Sequence, residues 1–294
     1  MDDRRLSLVL PAFNEAAGIR QALAEADEAL VKLAADYEIL VVDDGSTDAT
    51  ATIVAEQAVR RPHIRLLRHE NNRGYGAALR TGFTAARFEF VAFTDADCQF
   101  HLEDLDRLLA FMNRVPIAVG YREDRQDPWR RRFLSGGFNL LVRVLLGTRV
   151  RDCDCALKVF RRDVLARLLP ETNGFFVNAE MLARARQLNY EVAEVGVRHR
   201  PRLRGISKVA LNQVPRVLAT LLPFWWSRVL FPGTSFSPRP SGGEGPGVRG
   251  RSLQQLHPSP PTPCPQGERG ERYHTGLAFV LLILLASLLF FTQL

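Results

Sequence analysis

Short apolar runs alternate with segments of helical periodicity along the first 120 residues, and this alternation limits the folds that the chain can adopt. Each strand and the helix after it take about 25 to 30 residues, as expected of parallel strands joined by right-handed helical crossovers. Residues 133–197 continue with both kinds of segment, short apolar runs and stretches of helical periodicity. We therefore predict an α/β fold with a mainly parallel central sheet and helices on both faces. The predicted strands begin at residues 6, 38, 64, 90, 117, 156 and 190.

The strand that begins at Phe90 ends abruptly in two acidic residues, Asp95 and Asp97, and Gln99 follows two positions later. Open α/β sheets bind their ligands at the carboxyl ends of such strands. Because successive residues of an extended chain point to opposite sides, these three polar side chains can face one cleft. Two carboxylates and an amide oxygen suit Mg²⁺ or Mn²⁺, whose usual companion is a substrate phosphate. A helix cap or a turn is the alternative explanation of an Asp-x-Asp pair.

Two further turns lie next to predicted strand ends. Residues 43–48 (DDGSTD) follow the second strand, and Ser46 or Thr47 can cap the helix after it. Gly74 and Gly76 open the next helix, but the sequence lacks both the third glycine of a dinucleotide fingerprint and the lysine of a phosphate loop. We therefore expect a glycine-assisted helix start that can approach the backbone of a ligand.

The chain carries 39 Lys and Arg residues against 32 Asp and Glu residues, a net charge of +7. Much of the excess is arginine within residues 122–151 and 198–208, where it could meet nucleic acid, anionic lipid or a phosphorylated substrate. Charge alone does not separate these three partners. The four cysteines show neither zinc-site spacing nor the framework of a disulfide-rich secreted domain, so we expect a reducing, cytosolic setting for the folded part.

Composition divides the chain into four parts. Residues 1–208 hold the α/β pattern, and residues 209–231 are apolar but interrupted by proline and arginine, which favours a helix lying in a membrane interface. Residues 232–272 contain nine of the 17 prolines and eight of the 21 glycines, which predicts a disordered linker. Residues 273–294 are almost wholly apolar and about as long as a transmembrane helix. Because arginines precede this helix and no charge follows it, we expect the folded domain to be cytoplasmic.

Five motifs, taken together, give the chain a resemblance to a known family. They resemble those of the family 2 glycosyltransferases, which have the GT-A fold, and the resemblance covers residues 5–230. Three downstream blocks, at residues 152–160, 178–180 and 199–208, are similar to those of polyprenyl-phosphate sugar transferases, the dolichol-phosphate mannosyltransferase-like branch. The five motifs are PAFNE at 11–15, VDDGSTD at 42–48, NRGYGA at 72–77, DADCQ at 95–99 and VGYR at 119–122.

The resemblance implies a role for each residue that matches a motif. The residues that would bind the nucleotide-sugar are Pro11, Phe13, Glu15, Asp43, Asp44, Arg73 and Gly74. The metal bridging the diphosphate would be held by Asp95, Asp97 and Gln99, and the catalytic residues would be Asp95, Asp97 and Arg122. The residues that would bind the acceptor phosphate are Arg131, Arg132, Ser135, Arg202 and Lys208, with Arg122 a further candidate.

By the same resemblance, residues 1–208 would be the catalytic domain of an inverting, metal-dependent glycosyltransferase. It would move a hexose from a UDP- or GDP-sugar to a polyprenyl phosphate at the cytoplasmic face of a membrane, with no nucleic-acid partner. A lipid phosphate is already ionised near neutral pH, so this reaction needs no strong general base. A hydroxyl acceptor is the first alternative, with Asp154 or Glu180 as the required base. A membrane-tethered module that binds nucleotides or nucleic acid without catalysis is the second.

Overall fold

The computed structural model describes residues 4–123, 129–201 and 213–227, and of residues 129–134 and 213–218 it describes the backbone alone. The strands are β1 (Arg5–Ala12), β2 (Asp36–Asp43), β3 (Ile64–Arg68), β4 (Phe90–Phe93), β5 (Ile117–Arg122), β6 (Lys158–Arg161) and β7 (Val192–Val197). The helices are α1 (Ile19–Leu33), α2 (Thr50–Arg60), α3 (Tyr75–Ala85), α4 (Leu105–Leu109, after a 3₁₀ turn at Leu102–Asp104), α5 (Trp129–Leu146), α6 (Arg162–Leu168), α7 (Val177–Gln187) and α8 (Gln213–Trp225).

The seven strands of the described part form one sheet in the order β3-β2-β1-β4-β6-β5-β7. Every neighbouring pair is parallel except the two pairs that β6 makes with β4 and β5. The central strands read as continuous apolar runs because both of their faces are covered, as in other parallel sheets. Leu8 of β1 and Val91 of β4, for example, are completely buried.

The sheet confirms the predicted α/β class and its mainly parallel character. Each predicted strand begins within two residues of the observed one. The reversed direction of β6 was not predicted, because a short apolar run looks the same whichever way it enters a sheet. This reversal has a consequence for the site, since the segment that enters β6 reaches the edge of the sheet at which β4 ends. Lys158, the first residue of β6, lies opposite Phe93, the last residue of β4.

Helix α8 is amphipathic and falls within the predicted interfacial segment 209–231. Its Leu221 and Trp225 are buried, whereas Leu222 is 37% exposed. Within the described ranges, every helix is too short or too polar to cross a bilayer. The predicted linker 232–272 and the predicted transmembrane helix 273–294 lie outside the described residues.

Candidate active site

The turn that follows β4 presents its polar residues to solvent and buries the residues between them. Asp95, Asp97 and Gln99 are half-buried, whereas Thr94, Ala96, Cys98 and Phe100 are buried. The three candidate metal ligands therefore share one side, as predicted, although the strand itself ends at Phe93 and the alternation continues through a turn. This turn, residues 94–99, is called the acidic turn below.

The side chains of the acidic turn are held by hydrogen bonds. The Tyr75 hydroxyl donates to Asp95 Oδ1 at 2.8 Å, and the backbone N–H of Gln99 donates to Asp97 Oδ1 at 3.2 Å. Cys98 has a φ of 57°, a left-handed conformation that a non-glycine residue seldom adopts. The turn is thus fixed in a shape that its sequence alone does not favour.

The donor set of the acidic turn fits a hard divalent cation that also binds phosphate. Within the described residues there is no cluster of three or more His, Cys, Asp or Glu side chains that could hold a metal by themselves. Mg²⁺ is usually bound through one or two carboxylates together with substrate phosphates and water, not by a complete protein cage. Two adjacent carboxylates that both face outward, with an amide beside them, meet that requirement.

Tyr75 joins the acidic turn to an exposed aromatic side chain. Its ring stacks on Phe175, with centroids 5.6 Å apart and an angle of 27° between the planes, and Phe175 is 38% exposed. Burial raises the pKa of Tyr75 well above its ordinary value of 10.0, and the negative charge of Asp95 raises it further. The charges of Asp97 and Asp154 act in the same direction. Tyr75 therefore remains a hydrogen-bond donor over the whole physiological pH range.

Asn14 connects the loop after β1 to the loop after β2. Its φ is 51°, its backbone N–H donates to Ser46 Oγ at 2.8 Å, and its Oδ1 accepts from the Thr47 N–H at 2.8 Å. Two predicted donor-binding residues, Phe13 and Glu15, flank Asn14 and are positioned by these bonds. Asn14 was not among the predicted site residues, although asparagine in a turn is a usual signal for a left-handed residue.

The predicted cap of α2 is wrong. The helix begins at Thr50, and neither Ser46 nor Thr47 caps it. Asp48 provides the bonds instead: Oδ1 accepts from the Thr50 N–H at 2.9 Å, and Oδ2 accepts from the Ala16 N–H at 3.0 Å. The carboxylate thus serves both loops at once, which a shorter hydroxyl side chain could not do.

Asp44 is buried and organises the loop after β3. Its Oδ1 lies 2.7 Å from His69 Nδ1 and accepts from the Arg73 N–H at 2.9 Å, while Oδ2 accepts from the Gly74 N–H at 2.8 Å. Three predicted donor-binding residues, Asp44, Arg73 and Gly74, are thereby brought together. The hydrogen bonds that join these three residues are made within the protein, so a direct contact with a nucleotide stays a prediction.

Asp43, another predicted donor-binding residue, is completely buried at the end of β2. Its Oδ1 accepts from the Ser46 N–H at 3.3 Å. Its Oδ2 has no hydrogen-bond partner among the described residues, although Arg68 Nε lies 3.4 Å away, within ion-pair range. A buried acceptor that is not hydrogen-bonded is costly, and the ion pair with Arg68 offsets part of this cost, so a contact of Asp43 with a nucleotide stays a prediction. Pro11, one residue before the end of β1, is buried beside it in the sheet, paired with Val42.

Gly74 and Gly76 approach the protein's own backbone. Gly74 has a φ of 98°, and a β carbon at either glycine would collide with a carbonyl oxygen, that of Asn173 or that of Thr172. The Gly76 N–H also donates to the Asn173 carbonyl oxygen at 2.9 Å. These glycines are therefore required by the protein's own packing, and their approach to the backbone of a ligand stays a prediction.

Glu180 holds the loop that packs against those glycines. It is completely buried and accepts hydrogen bonds from the N–H groups of Glu171 and Thr172 at 2.7 and 3.0 Å, while Arg184 lies 3.0 Å away. The structure therefore contradicts the use of Glu180 as a base toward an acceptor hydroxyl. Asp154, the other candidate base, is half-buried.

Arg122, predicted as a catalytic residue, makes a buried ion pair. Its Nε and Nη2 donate to the two carboxylate oxygens of Asp152 at 2.7 and 2.8 Å, and both side chains are only 8% exposed. Although burial disfavours the charged form, the hydrogen bonds to Asp152 raise the pKa of Arg122 above its ordinary value. The pair fixes the start of the segment that enters β6. Contact of Arg122 with a substrate stays a prediction.

Lys158 holds the next residues of that segment from inside the protein. Its Nζ is buried and donates to the carbonyl oxygens of Cys153 and Cys155 and to Asn178 Oδ1, the first and third at 3.0 Å. Burial lowers the pKa of Lys158 and raises the pKa of Asp154, which the charge of Asp152 raises further. Asp154 is therefore a half-buried carboxyl group held on a fixed turn near Tyr75.

The predicted acceptor-phosphate residues are mostly outside the described atoms. Arg131 and Arg132 lie on α5, but their side chains are not described, and Arg202 and Lys208 lie in the undescribed segment 202–212. Ser135 is half-buried on α5, where its hydroxyl and its carbonyl oxygen face the amide nitrogen of Asn139 at 3.4 and 2.9 Å. The acceptor site as a whole thus stays a prediction.

A solved structure with this fold is glucosyl-3-phosphoglycerate synthase from Mycobacterium tuberculosis, in complex with Mn²⁺, uridine diphosphate and phosphoglyceric acid. Its TM-score is 0.59 at 23% identity, and the match covers 76% of this chain and 78% of that one. The profile of glycosyl transferase family 2 matches residues 7–169, and the chain belongs to this family. The resemblance stated from the motifs is confirmed.

Two relatives each match at least two thirds of this chain. The chain is 30% identical over 218 residues to a dolichyl-phosphate beta-glucosyltransferase of Dictyostelium discoideum, covering 67% of each chain. It is 34% identical over 225 residues to an undecaprenyl-phosphate 4-deoxy-4-formamido-L-arabinose transferase of Pseudomonas fluorescens, covering 74% of this chain and 64% of that one. The chain thus spans about two thirds of the length of these relatives.

Proposed function

We propose that this chain is an inverting, metal-dependent glycosyltransferase that moves a hexose from a UDP- or GDP-sugar to a polyprenyl phosphate. The observation that carries the proposal is the exposure pattern of the acidic turn, which presents Asp95, Asp97 and Gln99 on one side at the carboxyl end of a central strand. Open α/β sheets bind their ligands at this place. The names of the two relatives above support a polyprenyl phosphate as the acceptor.

The proposed reaction breaks the bond between the sugar C1 and the diphosphate oxygen, and the electron pair leaves with the diphosphate. A phosphate oxygen of the lipid forms the new bond to C1 from the opposite face, which inverts the anomeric centre. A divalent cation held by Asp95, Asp97 and Gln99 would supply Lewis-acid stabilisation of the departing charge. Tyr75 orients the Asp95 carboxylate through its hydroxyl. The acceptor oxygen is already ionised, so the chain need only bring the two reactants together.

Two helices provide apolar surface for a lipid acceptor. On α5, Leu140 and Val144 are 48% and 41% exposed and lie one helical turn apart. On α8, Leu222 is 37% exposed, next to the buried Leu221. Together with the predicted transmembrane helix 273–294, these faces support a location of the enzyme at the membrane surface.

A donor and acceptor screen tests the proposal. The full chain in detergent is incubated with Mn²⁺, a UDP- or GDP-hexose and a short polyprenyl phosphate, and the lipid-linked sugar is measured. We expect Asp97→Asn to lower the rate at least about 100-fold, because it removes the charge of a proposed metal ligand. At about 1.4 kcal/mol for each factor of ten, this corresponds to a loss of about 2.8 kcal/mol of transition-state stabilisation. The matched control is Asp106→Asn, an exposed carboxylate on α4 that pairs only loosely with Arg4 at 3.4 Å. Equal rates for the two variants would contradict the proposed metal role.

Transfer to a hydroxyl acceptor is the second candidate function. The position of Asp154 favours it. This carboxyl group is half-buried near Tyr75, and burial raises its pKa, as a general base requires. Transfer to a sugar hydroxyl with no transfer to any lipid phosphate would select this candidate. If the acceptor is a hydroxyl, Asp154→Asn should abolish transfer, because the general base is lost. If the acceptor is a lipid phosphate, the same variant should keep most of its activity.

A further inference from the structure

The acidic turn needs support that its own packing does not supply. Cys98 lies in the left-handed region, which costs free energy for a residue with a β carbon. Behind the turn is a small pocket whose walls include Leu10, Glu25, Asp95 and Cys98. The side chains around the turn thus leave a small gap next to Asp95 and Cys98.

Arg200, three residues after the end of β7, contacts the backbone of the acidic turn at two consecutive residues. Its N–H donates to the Gln99 carbonyl oxygen at 2.9 Å, and its Nε donates to the Cys98 carbonyl oxygen. The Gln99 side-chain amide lies 3.5 Å from the Arg200 carbonyl oxygen. The pairing of Phe100 with His199 extends this contact by one residue. Arg200 thus bonds the strained residue directly and also orients the amide of a proposed metal ligand.

Glu25, on α1, fixes the guanidinium of Arg200. Arg200 Nη2 donates to Glu25 Oε2, and the two side chains are 25% and 29% exposed. Because Nε and Nη2 lie on the same side of the planar guanidinium, one arginine bonds the turn and the helix together. Glu25 is at least 69 residues from the acidic turn in sequence, so this link depends on the folded structure alone.

We propose that Arg200 and Glu25 are positioning residues that hold the acidic turn in the geometry required for the metal. This inference rests on the proposed metal role of Asp95, Asp97 and Gln99. Residues that orient metal ligands from behind contribute to metal affinity without touching the ion. The chain should therefore bind its metal less tightly when the link between α1 and the turn is broken.

Arg198 provides a matched control on the same segment. It also follows β7, but its guanidinium bonds Asp104 and Glu103, with Nη2 at 2.9 and 3.1 Å. These partners lie on the 3₁₀ turn before α4 and are not part of the acidic turn. Replacing either arginine by lysine keeps the charge and removes the planar, two-donor geometry.

The test measures Mn²⁺ binding by electron paramagnetic resonance, with the full chain in detergent and with UDP or GDP present. We expect Arg200→Lys to weaken Mn²⁺ binding about 10- to 100-fold. Glu25→Gln keeps an acceptor but loses the charge, and we expect about a threefold loss because the pair is partly exposed. Arg198→Lys should bind Mn²⁺ like the unchanged chain. Circular dichroism and thermal unfolding show that each variant is folded.

A second readout separates positioning from general damage. If Arg200 acts through metal affinity, saturating Mn²⁺ should restore most of the transfer rate of Arg200→Lys, while the apparent KM for Mn²⁺ stays high. Unchanged Mn²⁺ affinity in both Arg200→Lys and Glu25→Gln would overturn the inference, and so would an equal loss in Arg198→Lys. A chain that binds no Mn²⁺ before any substitution would refute the proposed metal role itself, which is a different failure.

Discussion

Replacing Asp152 by leucine tests whether the buried ion pair with Arg122 supports the fold around the active site. The change removes the carboxylate that accepts two hydrogen bonds, at 2.7 and 2.8 Å, and leaves a guanidinium that is only 8% exposed. Removing one partner of a buried pair costs about 3–5 kcal/mol, because the remaining charge is left without compensation. For a domain of roughly 200 residues, this corresponds to a fall in Tm of about 6–20 °C.

The double variant Arg122→Met with Asp152→Leu distinguishes a buried charge from a simple loss of contacts. Replacing both members of a buried pair by apolar side chains of similar size is often nearly neutral. We therefore expect the double variant to be more stable than either single variant. Thermal unfolding of the full chain in detergent, followed by circular dichroism, provides the measurement. The exposed pair of Arg4 and Asp106 is the control, since Asp106→Asn should cost less than about 1 kcal/mol.

Two outcomes would refute this reasoning. A loss of less than about 1 kcal/mol in Asp152→Leu would mean that the pair contributes no more than a surface salt bridge. Losses that simply add in the double variant would mean that the two side chains act independently. Transfer activity of the double variant then reports on catalysis: a folded but inactive protein would support a direct role of Arg122 toward the substrate.

Three further predictions concern single residues. Tyr75→Phe removes the donor to Asp95 and should weaken Mn²⁺ binding about tenfold with little change in Tm, as measured by electron paramagnetic resonance and thermal unfolding. Asn14→Ala loses the side-chain hydrogen bond from the Thr47 N–H and strains a left-handed residue, so it should cost about 2 kcal/mol. Asn14→Gly loses the same bond without that strain and should cost about 1 kcal/mol; equal losses would argue against strain. The raised pKa of Asp154 means that the native state favours its protonated form, so its contribution to stability is present below the ordinary pKa of 3.8 and is lost as the pH rises. Asp154→Asn should therefore be the more stable protein at pH 7 and lose this advantage near pH 3, and urea unfolding at both values checks the sign.

The strands and the acidic turn could be predicted from the sequence because both depend on local patterns. A buried parallel strand is a continuous apolar run, and the half-buried positions of Asp95 and Asp97 follow from their spacing. The partners of the buried charges could not be predicted in this way. Arg122 and Asp152 are 30 residues apart, and Arg200 and Glu25 are 175 residues apart. Such pairs are set by the topology of the sheet and leave no periodic signal in the chain.

Glu180 shows a second limit of reasoning from motifs. A glutamate near a predicted cleft has the right chemistry for a base, and only its complete burial under the 171–172 loop excludes that role. The glycines of α3 are similar, since their small size serves the close approach of Thr172 and Asn173. In both cases the residue type was informative, and the contact that the structure shows is with the protein itself.

The position of β6 in the sheet affects how the chain folds during synthesis. β6 separates β4 from β5 in the sheet and pairs with both, yet it follows both in sequence. A nascent or truncated chain that stops before Lys158 therefore leaves one edge of β4 unpaired and, because β7 also comes later, both edges of β5. Unpaired edges of apolar strands readily join other chains. Products that end between β5 and β6 should consequently aggregate, so expression of shortened versions of this enzyme depends on retaining the strand that runs against the others.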